Sequence, residues 1–255
     1  MTPADIAAWI GASAWIPQIG RWVYSLWEKP KLRILPSATV TLGYTNLGPS
    51  VQLTASLSTD RRNALIERVD LEVSHELGEK RQLTWVLISE FGQQMTGPTG
   101  EVINFGRSEP ATAIKITTDA LTPRQILFQD PAFAQKATML GEQVLEHYRY
   151  LKPKDENPLK TLLESKELRP AREHFERAFY WKPGRYAFQI SLRSASSKQS
   201  HVQKFEIQLS NVDSDRLASN CGLFAEYVSA AILDTDGVPS KNPAWKWLST
   251  PIRAV

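Results

Sequence analysis

The longest apolar stretch of the chain lies at its N-terminus. No acidic or basic side chain occurs between Asp5 and Arg21, and four of the eight tryptophans lie in the first 28 residues. A single helix over residues 4–27 would extend roughly 35 Å, which is enough to cross the core of a bilayer. Pro17 lacks an amide N–H and disrupts the preceding helical turn. The pattern therefore predicts an apolar stub up to Pro17 and a second helix after it.

The predicted N-terminal helical segment comprises residues 1–30. Its second helix is amphipathic. Gln18, Arg21, Ser25 and Glu28 share one helical face, and the opposite face is apolar. We expect the apolar face to contact a membrane or a partner. The candidate contact residues on and beside this face are Trp15, Ile19, Trp22, Val23, Leu26 and Trp27.

Three environments would cover this apolar face: a membrane surface, a protein partner or second copy, and the chain's own core. Tryptophan prefers the membrane interface, where its ring is buried and its N–H stays hydrated. Lys29, Lys31 and Arg33 follow the helix and would meet anionic head groups. If the segment spans a membrane, the positive flank predicts that the body of the protein is cytoplasmic, and we expect a cytoplasmic protein at the inner face of the membrane.

Between residues 31 and 128 the apolar positions alternate with polar ones, which is typical of strands with one buried face. The loops at residues 46–49 and 77–79 are too short for helical crossovers, so we expect antiparallel pairing. The alternation resumes after residue 180. The alternating apolar residues are Val40, Leu42, Tyr44, Val51, Leu53, Ala55, Leu57, Val69, Leu71, Val73, Leu83, Trp85, Leu87, Tyr186, Phe188, Ile190, Leu192, Phe205, Ile207 and Leu209.

Helical periodicity interrupts the strands. A helical insertion is predicted over about residues 130–180, and a C-terminal helix over about residues 213–233. Seven or eight short strands with such turns predict a mainly β fold with helical additions. The specific prediction is an antiparallel immunoglobulin/fibronectin-like β-sandwich over residues 31–255, preceded by the N-terminal amphipathic helix.

Two short motifs carry resemblances. The sequence WKPGRY at residues 181–186 resembles the turn before a late strand of immunoglobulin- and fibronectin-like domains, where an aromatic residue anchors the corner. The stretch from Gly43 through Pro49 to Trp85 resembles uncharacterised bacterial proteins with an apolar N-terminal helix and a β-sandwich body. The second resemblance implies a bacterial origin and no activity, cofactor or site.

Candidate chemistry is sparse. The net charge of +3 is small, and the cations of residues 152–177 alternate with carboxylates, which does not favour nucleic-acid binding. The histidines have no metal-ligand spacing, and no nucleophile elbow, P-loop or dinucleotide-binding fingerprint occurs. We therefore expect no catalytic residue, no cofactor and no metal site. His75 is predicted to be a satisfied strand residue, His174 a solvated helix residue and Cys221 a packed one.

The sequence thus favours a non-enzymatic protein-interaction module, membrane-associated or a subunit of a bacterial assembly. The alternative is a membrane-acting effector of a bacterial conflict or defence system. An unrecognised hydrolase or carbohydrate-binding sandwich is a third hypothesis. Near the C-terminus, Trp245 and Trp247 are either docked on the body of the protein or anchors for a partner.

Overall fold

The computed structural model of the chain describes residues 15–27, 31–60, 63–90, 94–96, 102–104, 107–118, 121–194 and 197–254. The predicted apolar stub lies outside the described residues apart from its last three positions. Glu28 of the predicted polar face and Lys29 of the cationic flank also lie outside them.

Strands are the largest class of secondary structure among the described residues. They are β1 (Lys31–Thr45), β2 (Gly48–Asp60), β3 (Ala64–His75), β4 (Lys80–Glu90), β5 (Gln94–Thr96), β6 (Val102–Asn104), β7 (Arg107–Pro110), β8 (Ile114–Ile116), β9 (Thr122–Gln129), β10 (Gly184–Ser194), β11 (Ser197–Leu209), β12 (Trp247–Pro251) and β13 (Arg253–Ala254). The helices are α1 (Ile16–Trp27), α2 (Pro131–Leu151), α3 (Pro158–Glu164), α4 (Arg169–Arg177), α5 (Asn211–Ala218) and α6 (Phe224–Thr235), with 3₁₀ turns at Lys166–Leu168 and Ser219–Leu223.

One antiparallel sheet contains all of these strands except the β5–β6 hairpin. Its order is β12-β1-β2-β9-β4-β3-β10-β11-β13, and β7 and β8 pair with β4 and β3. The two end strands are neighbours in sequence, separated by Ile252. Because β12 pairs with β1 at one edge and β13 pairs with β11 at the other, the C-terminal segment bridges both edges. The sheet is therefore nearly barrel-shaped.

The antiparallel, mainly β prediction is confirmed, whereas the immunoglobulin-like sandwich is not. The long described strands pair in one continuous sheet, and the segment formed by β12 and β13 connects its edges. A period of two in the sequence reports which face of a strand is buried. It does not distinguish two facing sheets from one sheet that curves until its edges meet.

The core follows the predicted alternation closely. All of the alternating apolar residues are buried except Leu87. A register shift between Trp85 and Leu87 interrupts the pairing of β4 with β9, and Ile88 is buried in place of Leu87. The shift reverses the direction of the side chains that follow it, which a strict period of two does not anticipate.

Helix α2 begins immediately after β9 and is capped by Asp130. One carboxylate oxygen accepts the backbone N–H groups of Ala132 at 2.9 Å and Phe133 at 3.2 Å, and the other accepts a hydrogen bond from Arg81 at 3.0 Å. The cap directs the Phe133 ring onto Gly48, where a Cβ would lie 2.4 Å from the ring and φ is +75°. Only glycine fits this close approach comfortably.

A buried amide connects the closing segment to β1. Asn220 has no exposed surface, and its Nδ2 donates to the carbonyls of Tyr44 and Lys246, both at 2.8 Å. Its Oδ1 accepts the backbone N–H of Lys246 at 2.9 Å. Lys246 directly precedes β12, so these three hydrogen bonds hold the start of β12 beside the end of β1.

We predict that Asn220→Ala destabilises the protein by about 3 kcal/mol, because three hydrogen bonds are lost, among them the one to the buried Tyr44 carbonyl. Urea unfolding followed by circular dichroism measures the change. Asn242→Ala, at an exposed position, is the control and should change stability by less than about 0.5 kcal/mol. Similar unfolding midpoints for the two variants would contradict the structural role of Asn220.

Candidate functional site

Helix α1 presents large apolar side chains to the surface. The exposed fractions are 63% for Trp15 and 56% for Ile19, and Trp22 reaches 64%. Tyr24 is also exposed, as is every other residue of α1 whose side chain is described. This part of the chain therefore exposes aromatic and aliphatic surface to solvent.

The remaining predicted contact residues lie on the same helix. The structure describes the backbone of Val23, Leu26 and Trp27 within α1 but not their side chains. At 12 residues, α1 is about 18 Å long at 1.5 Å per residue. Among the residues that the structure describes, no helix is long and apolar enough to cross a membrane.

The C-terminal tryptophans contact the body of the protein. The ring centroid of Trp245 lies 6.2 Å from those of Phe175 and Tyr227. The Trp247 ring covers Gly43 so closely that a Cβ there would be 2.4 Å from it. Both tryptophans are partly exposed. These contacts account for the packing of the two rings, and a role as partner anchors stays a prediction.

His75 is buried and has hydrogen-bond partners. Its Nε2 lies 3.1 Å from the carbonyl oxygen of Pro183, and its Nδ1 accepts from the backbone N–H of Leu77 at 3.4 Å. Its ring centroid is 4.6 Å from that of Tyr186. Both nitrogens are used inside the fold, so His75 is a structural residue at the end of β3.

Cys221 is half-buried. Burial raises the pKa of its thiol, and the nearby carboxylate of Glu176 acts in the same direction. The thiol is therefore protonated near neutral pH and is a poor nucleophile. Among the described residues, no group of three or more His, Cys, Asp or Glu side chains is placed to hold a metal ion.

An apolar cavity of about 340 Å³ opens between α2, α4 and α6. Its walls are formed by buried residues such as Phe133, Val144, Phe175 and Phe224. Small residues on α2 leave it unfilled, and a Cβ added at Gly141 would meet no heavy atom within 4 Å. The cavity is within the size range of small-molecule sites, about 300–1,000 Å³.

A charged cavity of about 530 Å³ adjoins the apolar one, and Phe133, Leu140 and His174 line both. The two cavities therefore meet along one wall. The charged groups of the second cavity are Arg81, Lys136, Arg177, Asp130 and Glu173. Three cations face two carboxylates, which gives this cavity an excess of positive charge.

His174 lies at the junction of the two cavities. Its ring stacks on Phe133 with centroids 4.8 Å apart, and its Nε2 is buried without a hydrogen-bond partner. Burial lowers the pKa of His174; a backbone hydrogen bond with Phe133 opposes the shift, and the charge of Lys136 adds to it. The imidazole is therefore neutral at pH 7. The prediction of a solvated helix residue was wrong for His174.

Sequence reasoning did not identify the apolar cavity, although one of the predicted anchor residues lies beside it. The Trp245 ring contacts Phe175 and Tyr227, which line the cavity together with His174. The spacing of Ala134, Ala137 and Gly141 on one face of α2 was the available signal. Such a face of small residues is also typical of close helix packing, so the signal is ambiguous without the neighbouring helices.

No protein-family model and no curated protein matches the chain. Among solved structures, the chain is similar to a family 123 glycoside hydrolase from Clostridium perfringens, studied for glycolipid glycan hydrolysis, with a TM-score of 0.31 and 9% identity. The similarity covers 72% of this chain and 28% of that one. A likeness this low carries no argument about fold or activity.

We predict that His174→Phe reduces the loss of stability at acidic pH. A histidine in the unfolded chain takes up a proton at about pH 6.5, whereas His174 in the folded protein does so at lower pH. In that pH window the unfolded chain binds more protons, so folding stability decreases as pH decreases. Urea unfolding at a series of pH values from about 7.5 to 5 measures the slope.

The phenylalanine ring preserves the stacking on Phe133 without a titrating group, so the variant should lose less stability than the wild type over this range. Gln135→Ala, at an exposed position on α2, is the control and should retain the wild-type slope. A His174→Phe slope equal to that of the wild type would contradict a lowered His174 pKa.

Proposed function

We propose that this protein is a non-enzymatic interaction module held at the inner face of a bacterial membrane by α1. The supporting observation is the exposure of Trp15, Ile19 and Trp22, each more than half accessible to solvent. Burial of a large apolar side chain is worth about 1.5–3 kcal/mol, so three such side chains, two on α1 and one directly before it, favour association with an apolar surface.

A membrane interface fits this helix better than a bilayer interior. The helix is too short to cross, and its polar face would remain in water if it lay in the membrane plane. Tryptophan and tyrosine rings partition to the depth of the head groups, where the polar N–H and O–H groups remain hydrated. Trp15, Trp22 and Tyr24 supply such rings.

Cations next to α1 add an electrostatic contribution. Lys29 and Lys31 follow the helix in sequence, and Arg33 lies two residues further. Arg33 pairs with Asp60 at 3.0 Å, but its side chain is 64% exposed. An ion pair that exposed is weak, and Arg33 can also interact with an anionic head group. Anionic lipid should therefore increase binding.

In this proposal the body of the protein recognises another protein, and α1 restricts that encounter to the membrane surface. Restriction to a surface raises the effective concentration of both partners without any additional contact between them. The fold offers two surfaces for recognition, the outer face of the sheet and the helical layer formed by α2, α4 and α6.

We predict that the full chain floats with vesicles containing anionic lipid, and that the double variant Trp15→Ala, Trp22→Ala binds them about 100-fold more weakly. Each ring is taken to contribute about 1.4 kcal/mol, which corresponds to a factor of ten. Flotation through a sucrose gradient, at several lipid concentrations, measures the partition constant.

Tyr150→Ala is the matched control, because Tyr150 is an exposed aromatic residue on α2 far from α1 in sequence. It should partition like the wild type. Equal flotation of the double variant, or no flotation of the wild type, would refute the membrane proposal. Release of a trapped dye from the same vesicles would instead favour a membrane-acting effector.

A further inference from the structure

The apolar cavity between α2, α4 and α6 has the features expected of a site for an apolar group. Its wall is mostly aromatic and aliphatic, with a few polar side chains such as those of Asn46, Thr138 and Thr235, and Gly141 adds no side chain to it. The cavity volume of about 340 Å³ accommodates a short alkyl chain or an aromatic ring.

The adjoining charged cavity indicates which charge the polar end of a ligand should carry. Arg81 is paired with Asp130 at 3.0 Å, and Arg177 is paired with Glu173 at 3.2 Å. Among the described residues, no carboxylate forms an ion pair with Lys136. Its ammonium group is therefore available to an incoming anion, and the potential of this cavity is positive.

His174 provides a hydrogen-bonding group where the two cavities meet. Its Nε2 is buried and has no partner in the fold, which is rare for a polar atom in such a position. A negative group bound beside the ring would favour the protonated imidazole, whose Nε2–H could then donate to it. The unpaired nitrogen thus lies where the head group of a ligand would be.

We propose that these adjoining cavities bind a small amphipathic anion, with its apolar part between α2, α4 and α6 and its anionic group beside Lys136 and His174. The proposal concerns the helical layer and does not depend on the membrane role of α1. A short-chain carboxylate is the simplest member of this ligand class and serves as the probe.

The test is an NMR titration of the full ¹⁵N-labelled chain with octanoate, 1-octanol and acetate. Octanoate should bind about fivefold more tightly than octanol, since the two share a tail and differ in charge, and acetate should cause no saturable shift. Gly141→Leu should weaken octanoate binding at least about tenfold by filling the cavity. Lys136→Gln should lower the affinity for octanoate to that for octanol and leave the affinity for octanol unchanged.

Each variant has a matched control. Gly222 also faces open space and lines neither cavity, so Gly222→Leu should bind octanoate like the wild type. Lys160→Gln removes a lysine from α3, away from both cavities. Leucine is the better helix former, so we expect Gly141→Leu to fold, which its melting temperature verifies.

Three results would overturn the proposal. Undiminished octanoate binding by Gly141→Leu would place the ligand elsewhere. Equal affinities of the wild type for octanoate and octanol would remove the anionic specificity. An absence of saturable shifts with both probes would show that the cavity does not accept this class of molecule.

Discussion

The closure of the sheet is supported by three hydrogen bonds of the buried Asn220 side chain, which join β1 to the residue before β12. The Tyr44 carbonyl of β1 and the backbone of Lys246, directly before β12, meet at the Asn220 side chain, which has no exposed surface. Asn220 satisfies the Tyr44 carbonyl together with both backbone groups of Lys246. Without a side chain that both donates and accepts hydrogen bonds, these backbone groups would be left without this partner, which costs free energy.

The same region connects the sheet to the helices. Trp181, which is fully buried, donates its indole N–H to the Gly43 carbonyl at 2.8 Å, and its own carbonyl accepts from Ser214 on α5 at 2.7 Å. The Tyr44 hydroxyl donates to the Phe175 carbonyl, which attaches α4 to β1. Because β1 holds both the closing segment and α4, the cavity in the helical layer depends indirectly on closure of the sheet.

Local features of the fold could be read from the sequence, and long-range ones could not. The alternation of apolar residues identified the buried face of β2, β3 and β10 because each strand has one solvated side. It failed at Leu87, where a bulge in β4 depends on its pairing with β9. The importance of Asn220 and the buried nitrogen of His174 arises from residues far away in sequence, so neither has a local signal. The amphipathic pattern of α1 was visible from the sequence, since a helical period requires no tertiary information, but the sequence left open whether a membrane, a partner or the chain's own core covers the apolar face.

The closure of the sheet has a consequence for how the chain folds during synthesis. The Thr41 and Ser249 hydroxyls, 3.0 Å apart across β1 and β12, are separated by 208 positions in sequence. While the ribosome makes the intervening residues, one edge of β1 has no partner and can pair with a strand of another nascent chain. Contacts of such long range also form slowly. We therefore expect the emerging chain to need protection of the β1 edge, by a chaperone or by dilution, until β12 has been translated.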